Sequence, residues 1–459
     1  MAKSTDRTVS SGGAGSAGTR RARDQAPGSE QTRGTMATPL TLEDFNPFDP
    51  HVQQEPQPYY ALMRAEQPVF RAGNGLYVIT RHADCMDALR HPDVFSSSFG
   101  GPGTPGTLGG ARDDPELAEI AARGYPPVAT LLVADPPAHT RYRKLVGRAF
   151  TPRRVQGLIP RIEHIADELV DSFVADGRVE IVSQFAVPLP VRVIAFALGV
   201  PADREADFKR WSDDSIAGIG AVVSRDRALE MARGVVEFQQ YFAAELERRR
   251  SEPRDDMLSD LVHARIDDPD GDEDTAPLSM PEMLSILQQL LVAGNETTTK
   301  LVTEACRMLI ENPEAAARVR ENRELVPNLV EEALRLATPT QGMFRKVTRD
   351  TELAGVSIPA GSMCVLMYAS ANRDEAMFPV PDELQPERSN AKEHLAFGRG
   401  IHFCIGASLA RAEATVALDR IIDRLPDLRY APGNDFAYEP SFILRGLKRL
   451  DLEFTPKPT

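Results

Sequence analysis

Apolar residues recur at helical spacing over most of the chain, most clearly between Ser279 and Asn312. Leu284, Leu287, Leu291, Val302 and Leu309 form one stripe there, at the interval that buries one face of a helix. Ser279 and Glu282 make a capping-box pattern at its start, and Pro313 cannot continue the turn past Asn312. At about 1.5 Å per residue, this helix would extend for roughly 40 Å or more, enough to cross a whole domain. The spacing predicts further helices around Leu329–Leu336 and Ser408–Leu425. Runs with β character, Gly75–Thr80 and Val356–Tyr368, are sparse beside them. The pattern predicts a mainly α fold with a minor β part.

One turn of the long helix breaks its own pattern. Ala293-Gly294-Asn295-Glu296-Thr297-Thr298 puts a glycine, a carboxylate and two hydroxyls where a helix crossing a core should be apolar. Either this turn faces solvent or it carries function, because sequences break local rules mainly at functional sites.

Residues 1–35 are rich in Gly, Ser, Thr and Arg, and besides Met1 hold Val9 as their only large aliphatic or aromatic residue. They read as a disordered tail, taken here to extend through residue 45, with one globular domain over residues 46–459. Length alone, at 459 residues, would suggest two or three domains. The segment Phe99–Gly110 carries six glycines without a P-loop ending or a dinucleotide fingerprint, and reads as a surface or lid loop. The acidic run Asp267–Asp274 has Glu273 where a calcium loop needs glycine, and reads as a solvated inter-helix loop.

Charge narrows the classes of function. With 67 acidic against 53 basic residues the net charge is −14, which disfavours nucleic acid and anionic membranes as partners. No uncharged apolar run reaches the roughly 20 residues of a spanning helix, and the N-terminus lacks the apolar core of a signal peptide. Cys85, Cys306, Cys364 and Cys404 are scattered, without the dense spacing of a disulfide framework. These features predict a soluble cytoplasmic protein with reduced thiols.

The densest chemistry lies in His394-Leu395-Ala396-Phe397-Gly398-Arg399-Gly400-Ile401-His402-Phe403-Cys404-Ile405-Gly406-Ala407. Its glycines suit a tight turn that brings peptide N–H groups to the Cys404 sulfur. The helix that follows adds a positive dipole end, which favours a thiolate. Such a sulfur is a ligand or a nucleophile, whereas a lone cysteine without those glycines would be a small buried hydrophobe. Glu332 and Arg335, three apart on one helix face, would by themselves be a surface pair contributing about 0 to 1 kcal/mol.

The segment Phe397 to Gly406 resembles the haem-binding loop of the cytochrome P450 family, in its soluble bacterial class. Three further stretches resemble family motifs in the expected order, so the likeness spans roughly Asn46 to Pro456: Asp135-Pro136-Pro137-Ala138-His139-Thr140-Arg141-Tyr142-Arg143, the turn Ala293–Thr298, and Glu332-Ala333-Leu334-Arg335. The resemblance implies the P450 fold, a single large domain whose long central helix crosses above the haem. It implies haem b (iron protoporphyrin IX) with Cys404 as the axial ligand to the metal, Phe397 packed by that sulfur, and His139, Arg143, Arg345 and His402 at the propionates. Glu332, Arg335 and Arg388 would form a buried structural triad. Glu296 and Thr297 resemble the catalytic acid and alcohol of oxygen activation.

By the same resemblance, the enzyme would be a monooxygenase placing one oxygen atom of O₂ into a hydrophobic small molecule, most simply as a hydroxylation. The chain contains nothing resembling a fused flavin domain or an iron–sulfur cysteine cluster, so electrons would come from NAD(P)H through a ferredoxin reductase and a ferredoxin. Arg141, Arg143, Lys144, Arg148, Arg399 and Arg411 are candidates for the docking patch. The pocket walls would lie around Phe95–Val133, Trp211–Val222, Leu287–Thr297, Thr340–Phe344 and Phe442–Leu444. A monomer is expected. Two alternatives are a peroxide-driven peroxygenase of the same fold and a non-catalytic haem sensor, neither of which needs the Glu296-Thr297 pair.

Overall fold

The computed structural model describes residues 40–98, 114–218, 223–266 and 275–456. Helix far outweighs strand, as the periodicity predicts. The helices around the site are α1 (Ala138–Gly147), α2 (Pro152–Asp171), α3 (Pro188–Ala197), α4 (Glu205–Ile216), α5 (Arg225–Ser251), α6 (Met280–Glu311), α7 (Val326–Ala337) and α8 (Ala407–Arg424).

Helix α6 is the spine. The Ser279 N–H donates to Glu282 Oε2 at 2.7 Å, which anchors its first turn, and the helix stops at Asn312 ahead of Pro313. Its 32 residues span about 48 Å. The two halves feed different cores. Met283 to Leu291 pack with α1, α3, α4 and α5 residues such as Ile194, Trp211 and Phe242, while Leu301 to Leu309 pack with α2, α7 and α8 residues such as Ile165, Ala333 and Ala417. The polar turn 293–298 falls at the junction, where neither core claims it. Ala293, Gly294, Thr297 and Thr298 line a cavity there, so the turn faces an interior space and not bulk solvent.

A five-stranded sheet closes one flank in the order β1-β2-β5-β4-β3, with β1 Val69–Arg71, β2 Tyr77–Ile79, β3 Phe95–Ser96, β4 Met343–Val347 and β5 Met363–Leu366. β2 and β5 run parallel and the other pairs antiparallel. Alternation along β4 puts Met343 and Arg345 on one face, and both line the cavity. The run Val356–Tyr368 is two strands and not one. Gly361, at φ +82°, turns the chain after Ile358, so Val356–Ile358 joins a separate hairpin and Met363–Leu366 joins the sheet.

The packed chain begins earlier than residue 46. Leu42 and Phe45 are buried, three apart at a short 3₁₀ turn, and the Phe45 ring stands edge-on to Phe70 at 6.2 Å. Residues 40–45 therefore do not belong to a tail. Residues 1–39, the glycine-rich segment 99–110 and the acidic run 267–274 lie outside the described residues. Among the described residues, no helix is long and apolar enough to cross a membrane.

Candidate functional site

Cys404 sits where a glycine-shaped loop enters α8. Gly398 and Gly400 have φ of +64° and +70°, left-handed values that disfavour side chains, and a Cβ on Gly400 would lie 2.9 Å from the Leu89 carbonyl oxygen. That turn lets the Cys404 N–H donate to the Phe397 carbonyl at 2.9 Å. Gly406, the N-cap of α8, has an ordinary φ of −85°. Its value lies in its N–H, which with that of Ala407 is directed at the sulfur. Burial pushes the Cys404 thiol up, while those N–H groups and the Arg143 and Arg411 guanidinium charges pull it back. Coordination by a metal would remove the proton outright.

The sulfur opens onto a cavity of about 470 Å³ at the junction of the two cores, within the range of small-molecule and cofactor sites. His139 and Arg143, one turn apart on α1, line it together with Arg345 and His402. The rings of His139 and His402 are 4.1 Å apart, centroid to centroid. Burial, then the neighbouring His139 and Arg345 charges, push His402 down to about 3, and its buried Nε2 meets no hydrogen-bond partner among the described residues. Arg345 donates to the adjacent Phe344 carbonyl at 2.6 Å. Burial lowers the pKa of Arg143, and the Cys404 charge opposes it. Among the described residues neither arginine is ion-paired with a carboxylate, and unpaired buried cations of this kind are expensive.

Below the loop the charges are matched. Arg335 makes a bidentate pair with Glu332 at 2.7 and 3.0 Å, both side chains fully buried. Its remaining donors reach the carbonyls of Asn372, Pro381 and Glu383. Arg388 Nε stands 3.0 Å from Glu332 Oε1, an ion-pair distance without hydrogen-bond alignment, and its other nitrogens hold the Pro379, Val380 and Glu383 carbonyls. Glu332, Arg335 and Arg388 thus meet in one buried cluster.

A second cluster has no counterpart in the sequence reading. Glu331 accepts from Arg411 at 2.7 and 3.0 Å and lies 3.0 Å from His394 Nε2. Burial would raise the Glu331 pKa, but the His394 and Arg411 hydrogen bonds outweigh it and hold the carboxyl at about 2. The Arg411 guanidinium also lies 4.6 Å above the Phe397 ring, bracing the cysteine loop from α8.

On α6, the Thr297 hydroxyl donates to the Ala293 carbonyl at 2.9 Å and faces the cavity. Glu296 is absent from the cavity lining; its carboxylate is ion-paired with the ammonium of Lys300, one turn on. Another acid lines the cavity instead. Glu413 is buried on α8, pushed up to about 8 by that burial, and hydrogen-bonded to Thr298. It had no sequence signal beyond being a carboxylate at a core position of a helix that follows the cysteine.

The proposed basic patch shrinks. Arg141 is bound to Glu282 and to the Ala276 and Pro277 carbonyls, Arg143 lines the cavity, and Arg411 is held by Glu331. Lys144 and Arg148 are exposed, and Arg399 is partly exposed beside Glu393. The pocket walls also shift. Ser215, Thr340 and Met343 line the cavity, whereas Trp211 is turned into the helix core, 5.2 Å from the Tyr241 ring.

Known proteins match this arrangement along nearly the whole chain. The sequence profile of the family described as Cytochrome P450 matches residues 225–435. The chain is 38% identical over 418 residues to Cytochrome P450 107B1 of Saccharopolyspora erythraea, covering 89% of this chain and 97% of that one. It is 37% identical over 429 residues to Vitamin D(3) 25-hydroxylase of Pseudonocardia autotrophica, covering 92% and 99%. The solved structure of Cytochrome P450 CYP109Q5 from Chondromyces apiculatus superposes with a TM-score of 0.79 at 38% identity, over 91% of this chain and all of that one. The donor set fits the cofactor of those proteins, haem b. A soft sulfur can take the iron, and two arginines and two histidines that lack carboxylate partners can take two propionates.

Proposed function

This chain belongs to the cytochrome P450 family and is a haem-dependent monooxygenase, and from that premise we propose that it hydroxylates a hydrophobic small molecule with electrons relayed from NAD(P)H by a ferredoxin reductase and a ferredoxin. The observation that carries this reading is the make-up of the cavity wall: a thiol beside two arginines and two histidines that lack carboxylate partners among the described residues, and beyond them a mostly apolar surface that includes the Thr297 hydroxyl. Cys404 would hold the iron, with Phe397 beside it. His139, Arg143, Arg345 and His402 would hold the propionates. Bound there, haem b supplies the reduction of O₂ and the insertion of one oxygen atom into a C–H bond.

The chain's own groups hold the protons. With its hydrogen committed to Ala293, the Thr297 oxygen presents lone pairs to the cavity and orders water against α6. Glu296 stands behind it, its carboxylate held by Lys300, and exchanges protons with that water when it swings from the lysine. An acid and alcohol so placed favour the O₂ route over a peroxygenase, which uses peroxide that already carries its protons. Lys144, Arg148 and Arg399 would receive an acidic ferredoxin on the Cys404 side.

The test is the carbon monoxide difference spectrum of the reduced holoenzyme beside Cys404→Ser, followed by turnover with NADPH, ferredoxin and reductase or with hydrogen peroxide alone. We expect the strongly red-shifted Soret band of a thiolate-bound haem, abolished in Cys404→Ser, and turnover only with the protein partners. A histidine-type band would remove Cys404 from the site, and efficient turnover on peroxide alone would select the peroxygenase.

A further inference from the structure

The cavity has two chemically unlike ends, and the end away from Cys404 carries a polar pair outside the residues assigned above to haem b. Among the described residues, the ionisable side chains lining the cavity lie toward the cysteine: His139, Arg143, Arg345, Arg399, His402 and Glu413, with Tyr368 beside Arg345. Gln288 lines the other end. It precedes Thr297 by nine residues on α6, about 13 Å along the helix axis.

Gln288 and its neighbour Gln289 make an internal control. Gln289 is used up by the fold: its Nε2 donates to Thr130 Oγ1 at 2.7 Å and its Oε1 accepts from the Leu132 N–H at 3.1 Å. Gln288 makes one long contact, Nε2 to Ser215 Oγ on α4 at 3.4 Å, near the limit of a hydrogen bond. Its carbonyl oxygen and second N–H, and the Ser215 hydroxyl proton, meet no partner among the described residues. Ser285 is likewise engaged, accepting from the Val128 N–H at 2.9 Å. Between Gln288 and Thr297 the cavity wall is apolar, with Val128, Leu131, Val292 and Ala293.

We propose that Gln288 and Ser215 form a subsite for one neutral oxygen, a hydroxyl or ketone, carried by a rigid apolar substrate whose other end lies toward Thr297, about 13 Å further along the α6 axis. The inference rests on the monooxygenase reading of the same cavity and names its substrate class: a polycyclic isoprenoid alcohol or ketone. An amide beside a hydroxyl offers both a donor and an acceptor, so either oxygen is bound. A carboxylate would be buried there without a cation, at a cost its hydrogen bonds do not offset, which turns fatty acids away. A stiff body is favoured because it spans two separated points with little loss of conformational entropy.

The experiment titrates the holoenzyme with 5α-pregnan-3β-ol, 5α-pregnane and hexadecanoic acid, reading both the haem absorption shift and equilibrium dialysis of radiolabelled probe. The wild type should bind the alcohol about tenfold tighter than the hydrocarbon, the worth of one net buried hydrogen bond, and should bind the fatty acid weakest. Gln288→Leu should erase the tenfold preference while leaving 5α-pregnane affinity intact, which also reports that the cavity is folded. Ser215→Ala should reduce the preference in part. Equal binding of alcohol and hydrocarbon by a wild type with a thiolate-type carbon monoxide band, or tighter binding of hexadecanoic acid, would overturn the subsite and leave the monooxygenase standing. Absence of that band would overturn both.

Discussion

The two sides of the cysteine loop handle buried charge in opposite ways. Beneath it, Glu332 is matched by Arg335 and Arg388, and Glu331 by Arg411 and His394. On the cavity side, among the described residues, Arg143 and Arg345 have no carboxylate and His402 Nε2 has no hydrogen-bond partner. Matched charges hold a fold together because removing one strands the other. Unmatched charges do the reverse: they cost stability in the free chain and recover it when a ligand of opposite charge arrives. The loop is thus clamped from below by the protein's own ion pairs, and haem b bound in the cavity would complete it from above.

Breaking the matched side should have the largest effect. Arg335→Ala leaves Glu332 and Arg388 in a fully buried site and should cost about 3 to 5 kcal/mol, read as a lowered urea midpoint and loss of haem on purification. Wild-type stability and haem content in that variant would mean that the triad holds nothing.

Glu331→Gln should cost somewhat less, and its cost should depend on pH. The folded carboxyl titrates at about 2 against an ordinary value of 4.5, so its contribution is fully present above 4.5 and is lost as pH falls toward 2. That shift corresponds to about 3 kcal/mol. The difference in unfolding free energy between wild type and variant should therefore be constant from pH 7 to about 5 and shrink below 4.5. A pH-independent difference would assign the effect to packing.

The unmatched side should respond most weakly in the apoprotein and with the opposite sign. Arg143→Ala should leave apoprotein stability unchanged or raise it by up to about 1 kcal/mol, while haem is lost about tenfold faster to an excess of apomyoglobin. If the variant instead destabilised the apoprotein as Arg335→Ala does, the contrast between the two sides would fail.

Much of this was legible before any fold was known. The α6 boundaries were written in Ser279, Glu282 and Pro313, and the cysteine turn in Gly398 and Gly400, because caps and left-handed turns depend on residues close in sequence. Arg345 was found through its resemblance, and strand alternation explains why it faces the cavity. The misses are long-range. Arg411 was counted as a surface cation and is pinned to Glu331.

Adjacent identical residues show where the division lies. Glu331 and Glu332 differ by one position on α7, and Gln288 and Gln289 by one on α6. Nothing local separates the members of either pair. A step of one residue turns a side chain by about 100° around a helix, so Glu332 meets Arg335 and Arg388 while Glu331 meets Arg411 and His394, and of two glutamines that both line the cavity Gln289 is bound to the 130–132 segment while Gln288 keeps one long contact to Ser215. The sequence by itself determined the family, the cysteine and the helices, because those depend on short-range geometry. Only the tertiary structure decided which charges are matched and which polar groups are left for a ligand, because the partners of a side chain come from segments tens to hundreds of residues away.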